Sequence, residues 1–233
     1  MLSLPLAIDG GRAQLPKNLP STEEIVTRLT KANIQNRNRL RPYQVVRAYQ
    51  LFAKEEAKDK SEIRAAIEFI PPAMERFNIQ KADGAGFGEK IVRRILHSES
   101  QILSNPADTD ISSRNYRFRF LRQDTLKDHA CYVLEINPLR RETNLLRGVI
   151  WVDTDTYLLH RIEGEPAKDP SWWVHDIHVI LDFGDVQGMW LQNGLSSTAN
   201  VRLLGRHTLT ARDVDYRMGG FEAGLRPNSS QNE

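Results

Sequence analysis

A chain of 233 residues can hold one large domain or two small ones, and it is long enough to bury a core. With 40% apolar and 27% charged residues and a formal net charge of only +2, the composition is that of an ordinary globular protein, and nothing global argues for nucleic acid. The single cysteine, Cys131, excludes an intramolecular disulfide, and no apolar run approaches the length of a transmembrane helix.

The opening MLSLPLAIDGG is a short apolar run without the basic segment that begins a secretory signal. Residues 1–19 therefore read as an N-terminal tail, either a signal-peptide remnant or a frayed end. Ser21 with Glu24 three residues later is a capping box, and Ile25, Leu29 and Ala32 then form a stripe at helical spacing, with Val26 beside it. This predicts a helix to about Arg39, ended by Pro42. Arg37, Arg39 and Arg41 read as a solvated helix end favoured by the dipole, since the aromatic interleaving of a nucleic-acid surface is missing.

Strand-like runs follow at Tyr43–Ala53 and Ser61–Ile70, separated by the charged loop KEEAKDK, and an extended segment covers Met74 to Lys81. The next stretch, DGAGFGEK (83–90), invites comparison with a phosphate loop. A dinucleotide fingerprint would need glycine where Glu89 stands, and a Walker-type loop would need Ser or Thr after Lys90, where Ile91 stands. A carboxylate at a helix mouth also repels phosphate. The stretch reads as a turn whose glycines permit positive φ. It leads into a second helix, from about Glu89 to Leu103. Ile91, Ile95 and Ile102 form one apolar row of that helix, and Val92, Leu96 and Leu103 the other.

From Asn115 onward the chain is strand material broken by Asp, Asn, Gly and Pro. Tyr116, Phe118 and Phe120 alternate with Arg117 and Arg119, and Tyr132, Leu134 and Ile136 with Cys131, Val133 and Glu135. Short connections make an antiparallel meander the natural topology. Two helices and ten or eleven strands give one α+β domain over residues 20–218, and residues 219–233 read as a disordered tail. A sheet that long must curl, and two helices across its open side enclose an apolar space, filled by side chains or open to a ligand.

Several constellations fail as sites of chemistry. His175 and His178, three apart on a strand, point to opposite faces, and His160 reaching across would still leave a metal short of ligands. No metal or other cofactor is expected. NGLSST lacks the second glycine of a nucleophile elbow. Asp153 and Asp155 fit turn chemistry, and Asp213 and Asp215 read as a solvated strand face. Cys131 reads as a buried small residue. In EGEPAKDPSWWV the indoles of Trp172 and Trp173 should face opposite ways, one packed inward and one toward solvent, a partner or lipid.

The run Leu146–Leu191 (LRGVIWVDTDTYLLHRIEGEPAKDPSWWVHDIHVILDFGDVQGMWL), the later VRLLGRHTLTARDVDYR, YVLEINPLR and the glycine turn before the second helix are similar to segments of bacterial outer-membrane lipoprotein-sorting proteins. The order of elements resembles the LolA-type periplasmic carriers. That resemblance implies an unclosed antiparallel barrel lidded by helices, with an apolar cavity for lipid or lipoprotein acyl chains. It implies a non-enzymatic carrier in the periplasm, sorting lipoproteins toward the outer membrane, with an envelope membrane protein as donor or receptor. The alternative is an envelope sensor or interaction module of the same fold, of the RseB type. On this reading the sequence pattern places Ile25, Leu29, Ile91, Ile95, Leu96 and Ile102 on the lid face. Phe118, Phe120, Trp151 and Trp172 are the candidates on the sheet side.

Overall fold

Ser21 opens the first helix as its spacing predicts. In the computed structural model, which describes residues 19–53, 61–72, 74–84 and 86–219, the Ser21 hydroxyl oxygen accepts a hydrogen bond from the backbone N–H of Glu24 at 3.1 Å. Helix α1 (Thr22–Asn38) then buries Ile25, Val26 and Leu29. The Glu24 side chain does not close the capping box; it pairs with Arg28 one turn on. Of the expected tails 1–19 and 219–233, all but residues 19 and 219 fall outside the described residues, as does the KEEAKDK loop.

Ten strands follow the expected segments: β1 (Tyr43–Ala53), β2 (Ser61–Ile70), β3 (Met74–Asp83), β4 (Tyr116–Leu126), β5 (His129–Pro138), β6 (Leu146–Asp153), β7 (Leu159–Pro166), β8 (Val174–Val186), β9 (Met189–Val201) and β10 (Gly205–Met218). Helix α2 (Gly86–Ser104) and a short 3-10 turn (Pro106–Asp108) separate β3 from β4. The strands form one sheet in the order β3-β2-β1-β10-β9-β8-β7-β6-β5-β4, antiparallel throughout and not closed on itself. The fold is thus α+β, an unclosed barrel with two helices. Among the described residues no helix is long and apolar enough to cross a membrane.

Helix α2 begins three residues earlier than the sequence predicts. Of the glycines in DGAGFGEK, only Gly84 takes positive φ, at +101°. Gly88 lies inside the helix and is buried. A methyl group there would sit 2.9 Å from the Ser61 Cβ and 3.1 Å from the Ile63 Cδ1. Gly88 thus serves close helix–sheet packing rather than a turn.

Cross-strand register orders the core. Phe120, Leu134, Ile150, Ile162, Leu181, Leu195, Ala211, Tyr49, Ile63 and Ala82 are successive partners across all ten strands. Opposed residues of antiparallel strands share a face, so this row defines one inner face from edge to edge. Both helices cover that face. Helix α1 packs Ile25, Val26 and Leu29 with Leu134, Ile150 and Ile162, and α2 packs Val92 and Leu96 with Tyr49, Ile63 and Ala65. Each such fully buried aliphatic side chain contributes about 1.5–3 kcal/mol.

Candidate functional site

Between the parts of the inner face that the two helices cover, its middle is only partly covered. Helix α1 approaches the sheet at β4, and α2 at β2 and β3. Between them, on β8 and β9, Val179, Leu181, Phe183 and Leu195 are only half-buried. The flanks are filled: Ile25, Leu29 and Leu96 are each 0% exposed. A cleft of about 260 Å³ opens where Ser98, Gln101 and Ile102 of α2 face Arg141–Asn144 and Lys168, and its walls are mainly polar.

The expected lining residues divide accordingly. Ile25 and Leu29 lie in the α1 cluster, with Phe118 and Phe120 packed against it. Leu96 lies in the α2 cluster with Ile91 and Ile95 at its margin, and Ile102 borders the polar cleft. Two residues stand apart. Trp151 is opposite Val133 on β5 and Arg161 on β7, so alternation puts it on the outer face, away from Phe118 and Phe120. Trp172 lies in the β7–β8 connection, 78% exposed, with the Arg202 guanidinium 5.3 Å from its ring centre. Trp173, in the same turn, is half-buried.

The α2 half of the inner face also carries a charge network that the alternation pattern hides. Arg47 on β1 donates from Nε to Asp213 Oδ1 (2.5 Å) and from Nη1 to Glu99 Oε2 of α2 (3.0 Å). The Tyr216 hydroxyl donates to the other Asp213 oxygen. The Asp213 side chain is 2% exposed, which corrects the reading that Asp213 and Asp215 share a solvated face; only Asp215 is solvated. The cause is a bulge: Arg47 pairs with Asp213 and Val46 with Asp215, so Val214 is the extra residue and the two carboxylates face opposite sides. Glu99 follows Leu96 by three residues and therefore continues the buried row of α2.

Around this network sit Tyr49 and Glu75, whose Oη and Oε1 are buried without a hydrogen-bond partner among the described residues. Burial, followed by the charge of Glu99, pushes the Glu75 carboxyl up to about 7, against the pull of Arg47. Burial raises Glu99 as well. The folded state therefore holds a proton on Glu75 that the unfolded chain releases near pH 4.3. Stability is fully present below that value and falls as pH rises to about 7. The expected loss from Glu75 across this window is on the order of 3–4 kcal/mol. Chemical denaturation at pH 4.5 and 7.5 should show it, and Glu75→Gln should flatten the dependence. An unchanged slope in that variant would contradict the assignment.

Other expectations hold locally. Asp153 Oδ1 accepts from the backbone N–H of Asp155 and Thr156, which is turn chemistry. Cys131 is buried, and burial lifts its thiol to about 11, so it stays protonated at neutral pH. His175 pairs with Asp176 and His178 with Glu163, but a bulge between them sets them opposite Asn200 and Thr198, so the two share a face and do not point to opposite ones as alternation predicts. His160 instead meets His129 and Asp153, a grouping the sequence reading missed because the three lie on separate strands.

No family profile matches the chain, and no curated protein matches it. Solved structures do. A protein domain from Vibrio parahaemolyticus described as outer membrane lipoprotein-sorting is 13% identical, with 85% of this chain and 94% of that one covered and a TM-score of 0.46. A LolA-superfamily protein from Nitrosomonas europaea is 12% identical over 84% and 94%, with a TM-score of 0.41. A DUF1329-family protein from Desulfovibrio piger is 10% identical over 86% and 95%, with a TM-score of 0.40.

Proposed function

We propose that this protein is a non-enzymatic carrier of the bacterial cell envelope that binds acyl chains of lipids or lipoproteins on the inner face of its sheet. One observation supports this most: an apolar row that crosses all ten strands, covered by a helix on each flank and half-covered over β8 and β9. The sequence resemblance to lipoprotein-sorting proteins points the same way and supports a periplasmic location and membrane-protein donors or receivers. The tip bearing Trp172, Leu203 and Leu204, all exposed, suits contact with such a partner or a lipid surface.

Val92 and Leu96 fill the space beneath α2, so an acyl chain enters along Leu181 and Leu195 and displaces α2 as it goes deeper. Each methylene removed from water contributes about 0.8 kcal/mol, which sets the affinity against the cost of moving the helix. Ile91 and Ile95, half-buried at the margin of α2, meet the chain first.

Mass spectrometry of an organic extract of the purified protein should reveal a stoichiometric acyl species. Delipidated protein should rebind a fluorescent fatty-acyl probe. Ile95→Asp should lower the melting temperature and, in the folded fraction, weaken the probe about tenfold or more, since a charge replaces apolar contact. An empty extract with no rebinding would overturn the carrier reading and leave an envelope sensor or interaction module of the same fold.

A further inference from the structure

We propose that His129, Asp153 and His160 form a binding site for a divalent first-row transition-metal ion, with zinc as the ion tested. The site is independent of the inner face. Register places His129, Cys131 and Asp153 with Trp151 on the outer side, where β5 begins and β6 ends.

Local backbone features bring the three side chains together. His129 follows the β4–β5 turn, in which Lys127 and Asp128 both take positive φ. Asp153 ends β6. In the β6–β7 ladder Trp151 pairs with Arg161 and Val152 with Leu159, so His160 is the extra residue of a bulge. A bulge re-aims its side chain, and here it turns the imidazole onto the neighbouring carboxylate.

The spacing is that of a metal site. His160 Nε2 lies 3.2 Å and His129 Nδ1 3.6 Å from the same Asp153 oxygen, Oδ2, and the three atoms lie within 4.8 Å of one another. A tetrahedral ion with bonds of about 2.0–2.1 Å separates its ligands by roughly 3.3 Å. A plain His–Asp hydrogen bond accounts for His160 alone. His129 Nδ1 lies beyond hydrogen-bond distance of Oδ2 with its ring against that of His160, centroids 4.3 Å apart, and an ion shared with Oδ2 would bind both imidazoles.

The surroundings hold the ligands in place. Asp153 Oδ1 is occupied by the Asp155 N–H, the Thr156 N–H and the Thr156 hydroxyl, at 3.0, 2.7 and 2.9 Å, which leaves Oδ2 for the imidazoles. The His160 ring stands edge-on to Trp190 at 4.9 Å, and the Trp190 indole N–H is tied to the Leu159 carbonyl at 2.7 Å. Such outer contacts orient ligands before a metal arrives. Asp153 and His160 are buried, whereas the His129 side chain is 53% exposed, giving an entry path and an open fourth position. The neighbouring cations Lys127 and Arg161 are both partnered by Asp182, at 3.5 and 2.9 Å.

The test uses untagged full-length protein stripped with chelator, titrated calorimetrically with Zn²⁺ and spectroscopically with Co²⁺. One equivalent should bind, with the visible absorption of a four-coordinate cobalt site, and zinc should raise the melting temperature. His129→Ala, which removes an exposed side chain and should fold normally, is expected to weaken zinc roughly tenfold or more. Asp153→Asn, which keeps the Oδ1 acceptor of the turn, should weaken it further. His175→Ala/His178→Ala should leave one equivalent bound. No stoichiometric binding by the parent protein, or parent-like binding by His129→Ala, would overturn the proposal.

Discussion

Arg47→Met is expected to destabilise the protein by about 3–5 kcal/mol, far more than an exposed arginine would. The guanidinium sits beneath α2 with its side chain 13% exposed, between Asp213 at 2% and Glu99 at 24%. Burial opposes its charge, but Glu99 and Asp213 more than compensate, and its pKa stands well above the ordinary value. Methionine matches the length of the stem and keeps its packing, so the loss isolates the charge. Two carboxylates would then be left facing each other in an apolar setting, with Glu75 beside Glu99. The counter-experiment is the triple replacement Arg47→Met/Asp213→Leu/Glu99→Leu, which removes the network whole and should recover most of the loss. Equilibrium urea unfolding measures both. A single-variant loss below about 1 kcal/mol would mean that water reaches the pair and screens it.

Gly148→Ala is expected to cost about 3 kcal/mol or more, and Gly164→Ala a similar amount. The two glycines are direct partners on β6 and β7. A Cβ on Gly148 would lie 2.0 Å from the Glu163 carbonyl oxygen, and one on Gly164 would lie 2.2 Å from that of Arg147. Both obstacles are backbone, which cannot rotate aside as a side chain can. Paired glycines in strand interiors mark a tight bend, and here they let the sheet fold over toward α1. Gly86→Ala is the control, since an added methyl there meets nothing within 4 Å. It should be neutral or slightly stabilising. Thermal unfolding of the three variants would decide the matter, and equal melting temperatures would rule out a tight bend at the glycine pair.

The architecture was legible in the sequence because it rests on repeated local signals. The Ser21 cap, the alternation from Tyr116 to Phe120 and the paired apolar rows of α2 each follow a period that the backbone obeys. What escaped were interruptions of that period. Val214 and His160 are bulge residues, and each reverses the facing that alternation assigns to its neighbours. Alternation therefore makes Asp213 look solvated and gives no sign of the contact of His160 with Asp153. Trp151 escaped for another reason: the face it takes is set by its ladder partners Val133 on β5 and Arg161 on β7, which alternation within β6 alone does not name. Glu99 did carry a usable signal, its place three residues after Leu96 in the buried row. A charged residue on an apolar stripe is a reason to look for a buried partner. Which partner it finds is decided by pairing between the first and last strands, which no local pattern encodes.

That pairing of β1 with β10 joins Tyr43 to Met218, and it has a consequence for how the chain acquires its structure. Strands β4 to β9 are sequence neighbours and can zip together hairpin by hairpin as they emerge from the ribosome. The first three strands cannot be joined to that array until the last strand is complete. The loop to be closed there spans most of the polypeptide, and contacts of such separation form slowly. During synthesis the inner face of β1 and β2, with Arg47 still lacking Asp213, stays open to other hydrophobic partners. Helix α2 is made before β10 and is the segment in position to shield it. The helix that covers the finished inner face thus first serves as the protector of an unfinished one.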